Sequence, residues 1–390
     1  MMRNAFACLV CLAAWLAGAP VMAGEEAGGT AAAAPPQASS QAEDDIKRLL
    51  SLQDAAAMGS IAAIDEQKRL LRSIDKALLA ETGHAASPPA TAVAAYVLSG
   101  GDPQVAERLA KAPDTTAHDR RLLEAAAVFM RGDRAAAAGL MAKLNPLQLP
   151  AQIAGRMALA QALLAREDAS QDHYALALSV MPGTAIEESA LRRSALAYAD
   201  ARNEAAFWRR LERYIRRFPA SVYKEGFWDE VTAQIVTWTE KGPGPDLKTL
   251  DRVLGMLSAE EQRRIYVALV RLSAARANAP LTGFAAARLE RLAEDGSAED
   301  QMASFYLYLF KIVSPEGDEA LHKLRSIRAD LPGPQERTLL EAALVVGEQI
   351  DRPDTPAGSS VAADKTEPDA REQRGSSLLA ATSKLIGELD

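Results

Sequence analysis

Apolar residues in the middle of the chain recur at intervals of three and four, and short polar breaks separate them. One stripe contains Ile46, Leu49 and Leu50, and a second contains Leu70 and Ile74. Such spacing places apolar side chains on one face of an α-helix, whereas a half-buried strand alternates apolar and polar residues. No segment shows a convincing strand alternation. The pattern predicts an all-α fold over residues 44–350, in which each helix buries one face.

The polar breaks of the first half recur at a regular distance. Asp102 precedes Pro103 at a predicted helix start, because aspartate caps free backbone N–H groups and proline fits the first helical position. Equivalent caps are predicted at Asp133, Asp168 and Asn203, at successive distances of 31, 35 and 35 residues. These distances are close to the roughly 34-residue period of tetratricopeptide repeats. They favour a tetratricopeptide-like solenoid of helical hairpins, and an irregular Ala-rich bundle is the alternative.

The period is less regular after residue 220, but Pro and Gly breaks still delimit helices. Hydrophobic residues form 48% of the 390-residue chain, which is sufficient to build a core in one elongated or two compact domains. The predicted helical segments are about 224–240, 246–256, 258–277, 279–294, 298–312, 317–328 and 334–350.

The first residues have the pattern of a secretory signal peptide over residues 1–23. Arg3 precedes an apolar run from Ala5 to Leu16, and Val21-Met22-Ala23 supplies small residues for cleavage. The run is shorter than the about 18–20 residues that a spanning helix needs. The alternatives are an uncleaved anchor and a lipoprotein acylated at Cys8 or Cys11. We expect export to the periplasm, with no integral membrane segment in the mature chain.

Low-complexity segments flank the predicted helical region. Residues 24–43 are rich in Ala, Gly and Pro, which is typical of a flexible tether. Residues 351–376 are rich in Pro, Gly, Ser and charged residues and are predicted to form a disordered linker. A short C-terminal helix is predicted over residues 377–390.

The composition and the motifs of the chain restrict the kinds of chemical site that it can contain. Cys8 and Cys11 are the only cysteines, so cleavage of the signal peptide would leave no disulfide or zinc–thiolate site. The net charge is −8, whereas nucleic-acid binding normally needs a basic footprint, so we expect no nucleic-acid partner. Phosphate loops, nucleophile elbows and paired-histidine motifs do not occur, and the four histidines show no ligand spacing.

Paired carboxylates are the remaining catalytic candidates. Asp44-Asp45, Glu187-Glu188 and Glu260-Glu261 could perform acid–base chemistry only in a cleft that shifts their pKa values. Glu260 and Glu261 follow Ser258 in the first turn of a predicted helix, where negative charge favours the helix dipole. We therefore predict no catalytic residue, no metal and no cofactor.

The most distinctive segment extends from Glu204 to Trp228 and contains five arginines on one predicted helix. Four residues at helical spacing should face the core: Phe207, Leu211, Tyr214 and Phe218. Arginine is suited to binding carboxylates, phosphates and protein partners. The candidate partner-binding residues are Arg209, Arg210, Arg213, Arg216, Arg217, Tyr223, Phe227 and Trp228.

Two other interpretations of these arginines stay open. They could form a solvated helix face that is paired with neighbouring glutamates and has no partner. They could also bind a membrane surface, although the apolar side of this helix is already used in the predicted core.

Four segments also carry a resemblance to a known family. They are Ile46–Leu71, with Leu52-Gln53-Asp54 and Gln67 to Leu71; Ala94–Pro103; Leu149–Leu159; and Tyr214–Tyr223 followed by Phe227. In this order they resemble the MotC chemotaxis and motility proteins of soil α-proteobacteria. The resemblance covers roughly residues 44–350 and includes the signal peptide.

The resemblance implies a periplasmic, non-enzymatic accessory protein of the flagellar motor. It implies binding to the periplasmic part of the stator protein MotB, with a dedicated periplasmic chaperone, MotE, as a second partner. The rival hypotheses are a tetratricopeptide-like adaptor for envelope assembly or polymer secretion, and a hydrolase on a helical toroid with paired carboxylates across a cleft.

Overall fold

The computed structural model describes residues 41–80, 88–240, 244–327 and 333–351. Within these ranges the chain forms seventeen α-helices and two short 3-10 helices, and no β-strand occurs among them. The predicted all-α class is therefore confirmed. The predicted signal peptide, linker and C-terminal helix lie outside the described residues, as does the tether up to residue 40. The first helix begins at Gln41 and therefore includes the last three residues of the predicted tether.

The helices group into two compact units, with the boundary between Phe227 and Trp228. The helices up to and across this boundary are α1 (Gln41–Ala57), α2 (Ala62–Ala80), α3 (Ala90–Val97), α4 (Pro103–Ala110), α5 (Ala117–Met130), α6 (Arg134–Met141), α7 (Ala151–Leu164), α8 (Glu167–Val180), α9 (Ala185–Asp200), α10 (Glu204–Arg217) and α11 (Lys224–Glu240). The later helices are α12 (Leu247–Leu254), α13 (Ala259–Ala274), α14 (Ala279–Leu292), α15 (Ala298–Leu309), α16 (Gly317–Ser326) and α17 (Pro334–Asp351). The 3-10 helices are Pro146–Gln148 and Phe310–Val313.

Three of the four predicted caps of the first unit are confirmed. Asp102, Asp133 and Asn203 accept backbone N–H bonds at the starts of α4, α6 and α10. The cap predicted at Asp168 is wrong, because the N-cap of α8 is Arg166, whose side chain makes no capping bond. The resulting helix pairs are α3–α4, α5–α6, α7–α8 and α9–α10, and the two helices of each pair pack on each other.

The first unit departs from simple stacking of neighbouring repeats. Helix α1 packs on α2 and α3 and also on α9. The side chain of Asp54 in α1 accepts a hydrogen bond from the backbone N–H of Ala185, at 2.8 Å, where α9 begins. In an open repeat array each unit contacts only its neighbours. Here the first hairpin also contacts the fifth, so the first unit combines repeated hairpins with a bundle-like core.

The second unit follows the predicted segments closely. Helices α13 to α17 pack in sequence, each on the next. Ser258 and Glu261 form a reciprocal capping box at the start of α13, which confirms the first-turn position expected for Glu260 and Glu261. Asp251 of α12 accepts two hydrogen bonds from Arg288 of α14, at 2.5 and 2.7 Å. None of the helices in the described part of the chain combines the length and apolarity that crossing a bilayer demands.

Candidate functional site

Helix α10 carries the five arginines of the candidate segment. It begins after Asn203, whose side chain accepts the backbone N–H of Ala206, and it ends at Arg217. Pro219 follows shortly and disfavours a helical conformation of the residue before it. The four residues predicted to face the core are each at most 1% exposed, so that prediction is confirmed: Phe207, Leu211, Tyr214 and Phe218. The arginines are therefore restricted to the remaining sides of the helix.

The outer side of α10 and the end of α9 border a groove of about 530 Å³, which we call the arginine groove. Its volume lies within the range of ligand-binding clefts, about 300–1,000 Å³. Four lining residues are arginines and one is a glutamate, so positive charge is concentrated here on a chain whose net charge is −8. The charged and aromatic lining residues are Tyr198, Arg209, Arg210, Glu212, Arg213 and Arg216.

Two of the five arginines bind a buried carboxylate of α9. Glu187 is fully buried. Its Oε1 accepts a hydrogen bond from Arg213 at 2.6 Å, and its Oε2 accepts bonds from Arg217 and from the backbone N–H of Gly183, both at 2.7 Å. Burial alone would raise the pKa of Glu187, but these three bonds outweigh burial and lower it below the ordinary value. We call Glu187, Arg213 and Arg217 the arginine clamp.

The neighbouring Glu188 is also fully buried but has different partners. Its Oε1 accepts hydrogen bonds from Arg192 at 2.7 Å, from the hydroxyl of Tyr214 at 3.1 Å and from the hydroxyl of Ser221 at 2.9 Å. Its Oε2 has no hydrogen-bond partner among the described residues. Glu188 thus ties α9 to the inner side of α10 and to the segment that follows α10.

The other three arginines have looser contacts. Arg209 has no hydrogen bond or ion pair with any other residue that the structure describes. The guanidinium carbon of Arg210 lies 5.8 Å from the ring centre of Tyr198. Arg216 pairs with Glu212 at 3.5 Å, and 59% of its side chain is exposed. The structure therefore divides the five arginines into two that hold α10 on α9 and three that line the groove without a short carboxylate bond.

None of the three aromatic residues of the candidate site is among the residues that line the groove. Phe227 is buried and packs edge-on against Tyr214, with 4.7 Å between ring centres. Trp228 is buried in the second unit. Tyr223 is half-buried and borders a small cavity of about 50 Å³ in the first unit. Their role in partner binding stays a prediction, and in this structure Phe227 and Trp228 contribute to the cores of their units.

Sequence reasoning noted Glu187-Glu188 only as a carboxylate pair with possible acid–base chemistry. In the structure, both glutamates accept hydrogen bonds from side chains of α10. Arg213 and Arg217 follow Glu187 by 26 and 30 residues, a separation that places them on the other helix of one hairpin. An acidic pair that precedes an arginine-rich helix by one hairpin is the signal that could have identified this contact.

A second polar cluster connects α1, through Gln53, with α7 and with the turn that follows α3. Arg156 is only 3% exposed, and it donates to the hydroxyl of Ser99 at 3.0 Å and to the carbonyl of Gln152 at 2.9 Å. Burial disfavours its charged form and lowers its pKa to about 10. These contacts join the helices of the first unit. Within the described ranges, no three His, Cys, Asp or Glu side chains gather in a way that could hold a metal ion.

The fold and the groove together define a class, namely all-α proteins built from packed helical hairpins with a basic groove on one hairpin. A family model described as "Chemotaxis protein MotC" matches residues 2–385. A protein of Rhizobium meliloti (strain 1021) described as "Chemotaxis protein MotC" is 31% identical over 327 residues, which cover 81% of this chain and 73% of that protein. The chain belongs to the MotC family of chemotaxis proteins, as its sequence segments predict. No solved structure matches the chain.

Proposed function

We propose that this chain is a periplasmic, non-enzymatic accessory protein of the flagellar motor that binds the periplasmic part of the stator protein MotB and supports rotation. Membership of the MotC family supports the assignment to motility. Packed helical hairpins support a binding role, because they offer grooved surfaces on which part of another protein can lie.

The observation that carries the binding hypothesis is the arginine groove. Like charges gathered on one surface repel each other, and a partner of opposite charge relieves that repulsion. Arginine forms short, planar, charge-assisted hydrogen bonds with carboxylates, and it is enriched among the residues that dominate protein–protein affinity. The groove is therefore the surface of the first unit that we assign to the stator protein.

The carboxylates support a role without catalysis. A general acid or base must reach the atom that gains or loses the proton. Glu187 and Glu188 are fully buried and hydrogen-bonded to arginine and hydroxyl groups, and Glu261 completes a helix cap. Each of these side chains has a structural partner that accounts for its position.

A genetic experiment tests the proposed function in the cell. Deletion of the gene should leave flagellar filaments assembled but unable to rotate, and a plasmid copy should restore swimming. Swimming tracks and filament staining of the same cultures measure both properties. Normal swimming in the deletion strain would contradict the proposal, and envelope defects with normal motility would instead favour an envelope-assembly adaptor.

A biochemical experiment tests the partners directly. The mature chain should co-purify with the periplasmic part of MotB and should fractionate with a periplasmic marker. Co-expression with MotE, which we propose as its chaperone, should raise the yield of folded protein. Absence of a complex at micromolar concentrations of both purified proteins would contradict MotB as the partner.

A further inference from the structure

We propose that the arginine groove binds an acidic protein segment, and that Arg209, Arg210 and Arg216 determine the affinity while Arg213 and Arg217 hold the groove in shape. This inference takes from the proposed function only that the partner is a protein. It adds the chemistry of the bound segment and a division of roles among the five arginines.

The charges in the groove support a partner with several carboxylates. The charge of Arg213 is already offset by Glu187 at 2.6 Å, and Arg216 has a longer pair with Glu212 at 3.5 Å. Neither Arg209 nor Arg210 forms an ion pair with another residue of the described ranges. At least two positive charges in the groove therefore have no carboxylate within ion-pair distance among the described residues. A segment with two or more carboxylates would supply the negative charge.

The spacing of the arginines indicates how the carboxylates should be arranged. Arg209, Arg213 and Arg216 follow each other at four and three residues along α10. With a rise of about 1.5 Å per residue, they span about 6 and then about 10 Å along the helix axis. A partner helix with glutamates at positions i and i+7 repeats the distance between Arg209 and Arg216, and a glutamate at i+4 would lie opposite Arg213, which is already paired with Glu187. The groove volume of about 530 Å³ can hold several side chains at once.

Two contacts hold the groove in place before a partner arrives. The arginine clamp fixes the end of α10 against α9, because Glu187 bonds both Arg213 and Arg217. The ring of Tyr198 lies under Arg210 and restricts its rotation. Side chains that are ordered in advance lose less entropy on binding. The clamp therefore acts on affinity indirectly, as a positioning element.

The geometry favours a protein segment over a membrane. A surface helix that inserts into a bilayer needs an exposed apolar face, but Phe207, Leu211 and Tyr214 of α10 are buried in the first unit. The arginines also line a groove, whereas a lipid surface is broad and flat. Anionic lipid could still attract them by charge alone, so vesicles are one arm of the test.

The test measures binding of a defined probe to the full mature chain by fluorescence anisotropy. The probe is a labelled alanine-based helical peptide with glutamates at positions i, i+4 and i+7, and its control has glutamines at those positions. We expect the glutamate peptide to bind at least about tenfold more tightly than the control. Its affinity should fall as the salt concentration rises from about 50 to about 300 mM, because salt screens exposed charges.

Matched variants assign the effect to residues. The double variant Arg209→Gln/Arg216→Gln should bind the glutamate peptide at least about tenfold more weakly. The control Arg121→Gln/Lys143→Gln removes two exposed charges of the first unit outside the groove, and its affinity should stay within about twofold of wild type. Unchanged binding by a folded Arg209→Gln/Arg216→Gln protein would overturn the inference. Binding to phosphatidylglycerol vesicles but not to the glutamate peptide would overturn it as well.

The same variants separate this inference from the proposed function. If the wild-type chain binds the glutamate peptide through Arg209 and Arg216 but does not bind the periplasmic part of MotB, the proposed function fails and the groove inference stands. If MotB binds wild type and the double variant equally, the groove inference fails together with the assignment of the groove to MotB, whereas the binding of MotB and the role in rotation stand.

Discussion

The arginines of α10 are the same type of side chain in two different surroundings. Arg213, which also borders the groove, and Arg217 meet the fully buried Glu187 of α9 at 2.6 and 2.7 Å. By contrast, Arg209 has no such bond within the described ranges, and Arg216, whose side chain is 59% exposed, has only a longer pair with Glu212 at 3.5 Å. The comparison shows that the neighbouring helix, and not the arginine itself, decides whether a position stabilises the fold or is available to a partner.

Glu66 in α2 sharpens the comparison because it also binds two arginines, but at the surface. Its carboxylate contacts Arg48 at 2.6 Å and Arg69 at 2.5 Å, and its side chain is 28% exposed whereas that of Glu187 is fully buried. Surface ion pairs contribute about 0–1 kcal/mol, whereas removal of one member of a buried pair costs several. Comparing variants at Glu187 and Glu66 therefore tests the effect of burial, because each glutamate binds two arginines and the main difference between them is exposure.

The largest effect is expected for Glu187→Ala, which should lower the free energy of unfolding by about 2–4 kcal/mol. The change removes three hydrogen bonds and leaves the N–H of Gly183 without its acceptor. Partial exposure of the two arginines keeps the loss below that of a fully buried triad. Urea unfolding followed by circular dichroism measures it. Glu66→Ala is the control and should cost at most about 1 kcal/mol. Equal losses in the two variants would contradict the structural role of the clamp.

The next effect is a dependence of stability on pH. The folded-state pKa of Glu187 lies below its ordinary value of 4.5, so its contribution is complete at neutral pH and is lost as the pH falls through the folded-state pKa. Wild type should therefore exceed Glu187→Gln in stability at pH 7, and the gap should narrow below about pH 4.5, by at most about 1.4 kcal/mol per pH unit. Unfolding curves of both proteins between pH 7 and pH 3 measure it.

That experiment depends on the difference in free energy of unfolding between wild type and Glu187→Gln, because other carboxylates also change the stability of each protein with pH. Burial raises the pKa of Asp54, so this group acts on stability in the opposite direction as the pH falls. Asp251, whose pKa is lowered first by its bonds to Arg288, acts in the same direction as Glu187. Both groups are present in wild type and in Glu187→Gln, and their contributions cancel. A gap that stays constant from pH 7 to pH 3 would show that folding does not shift the pKa of Glu187, and a gap that grows in favour of wild type as the pH falls would show that folding raises this pKa.

A third effect concerns the buried side of α10, where the carboxylate that accepts hydrogen bonds is that of Glu188 and not that of Glu187. Tyr214→Phe and Ser221→Ala each remove one hydrogen bond to its Oε1 and leave the packing nearly intact. Each should lower the free energy of unfolding by about 1 kcal/mol. Urea unfolding measures both, and Ser179→Ala, which removes an exposed hydroxyl bonded to a carbonyl of its own helix, is the control. No loss in either variant would mean that Glu188 is held by Arg192 alone.

Most of the fold could be predicted from the sequence, because the ends of a helix and its buried face depend on residue type and local spacing. The N-caps Asp102, Asp133 and Asn203 and the buried face of α10 follow from residue type and spacing. The prediction of a cap at Asp168 was wrong, because aspartate occurs both at the N-cap and in the first turn of helices and the sequence alone did not distinguish the two positions. The packing of α1 on α9 could not be predicted, since helical periodicity gives the buried face of a helix but not its partner.

The candidate site was predictable only in part for the same reason. The run of arginines and its helical face are visible in one segment of sequence. Their separation into clamp and groove depends on Glu187 and Tyr198, which lie on the other helix of the hairpin. Phe227 and Trp228 are aromatic residues beside a charged helix, a pattern that suits both an interface and a core, and their burial is decided by tertiary packing.

The smallest effect on stability is expected on the groove side and completes the comparison. Arg209→Gln/Arg216→Gln should change the free energy of unfolding by no more than about 0.5 kcal/mol, because exposed side chains away from special contacts contribute little. Arg213→Gln on the same helix should lower it by about 1 kcal/mol, since one hydrogen bond to the buried Glu187 is lost. If the groove pair proved as destabilising as Arg213→Gln, all the arginines would serve the fold. A stable groove variant would instead show that these positions are not retained for stability, which is the condition that a partner-binding surface must meet.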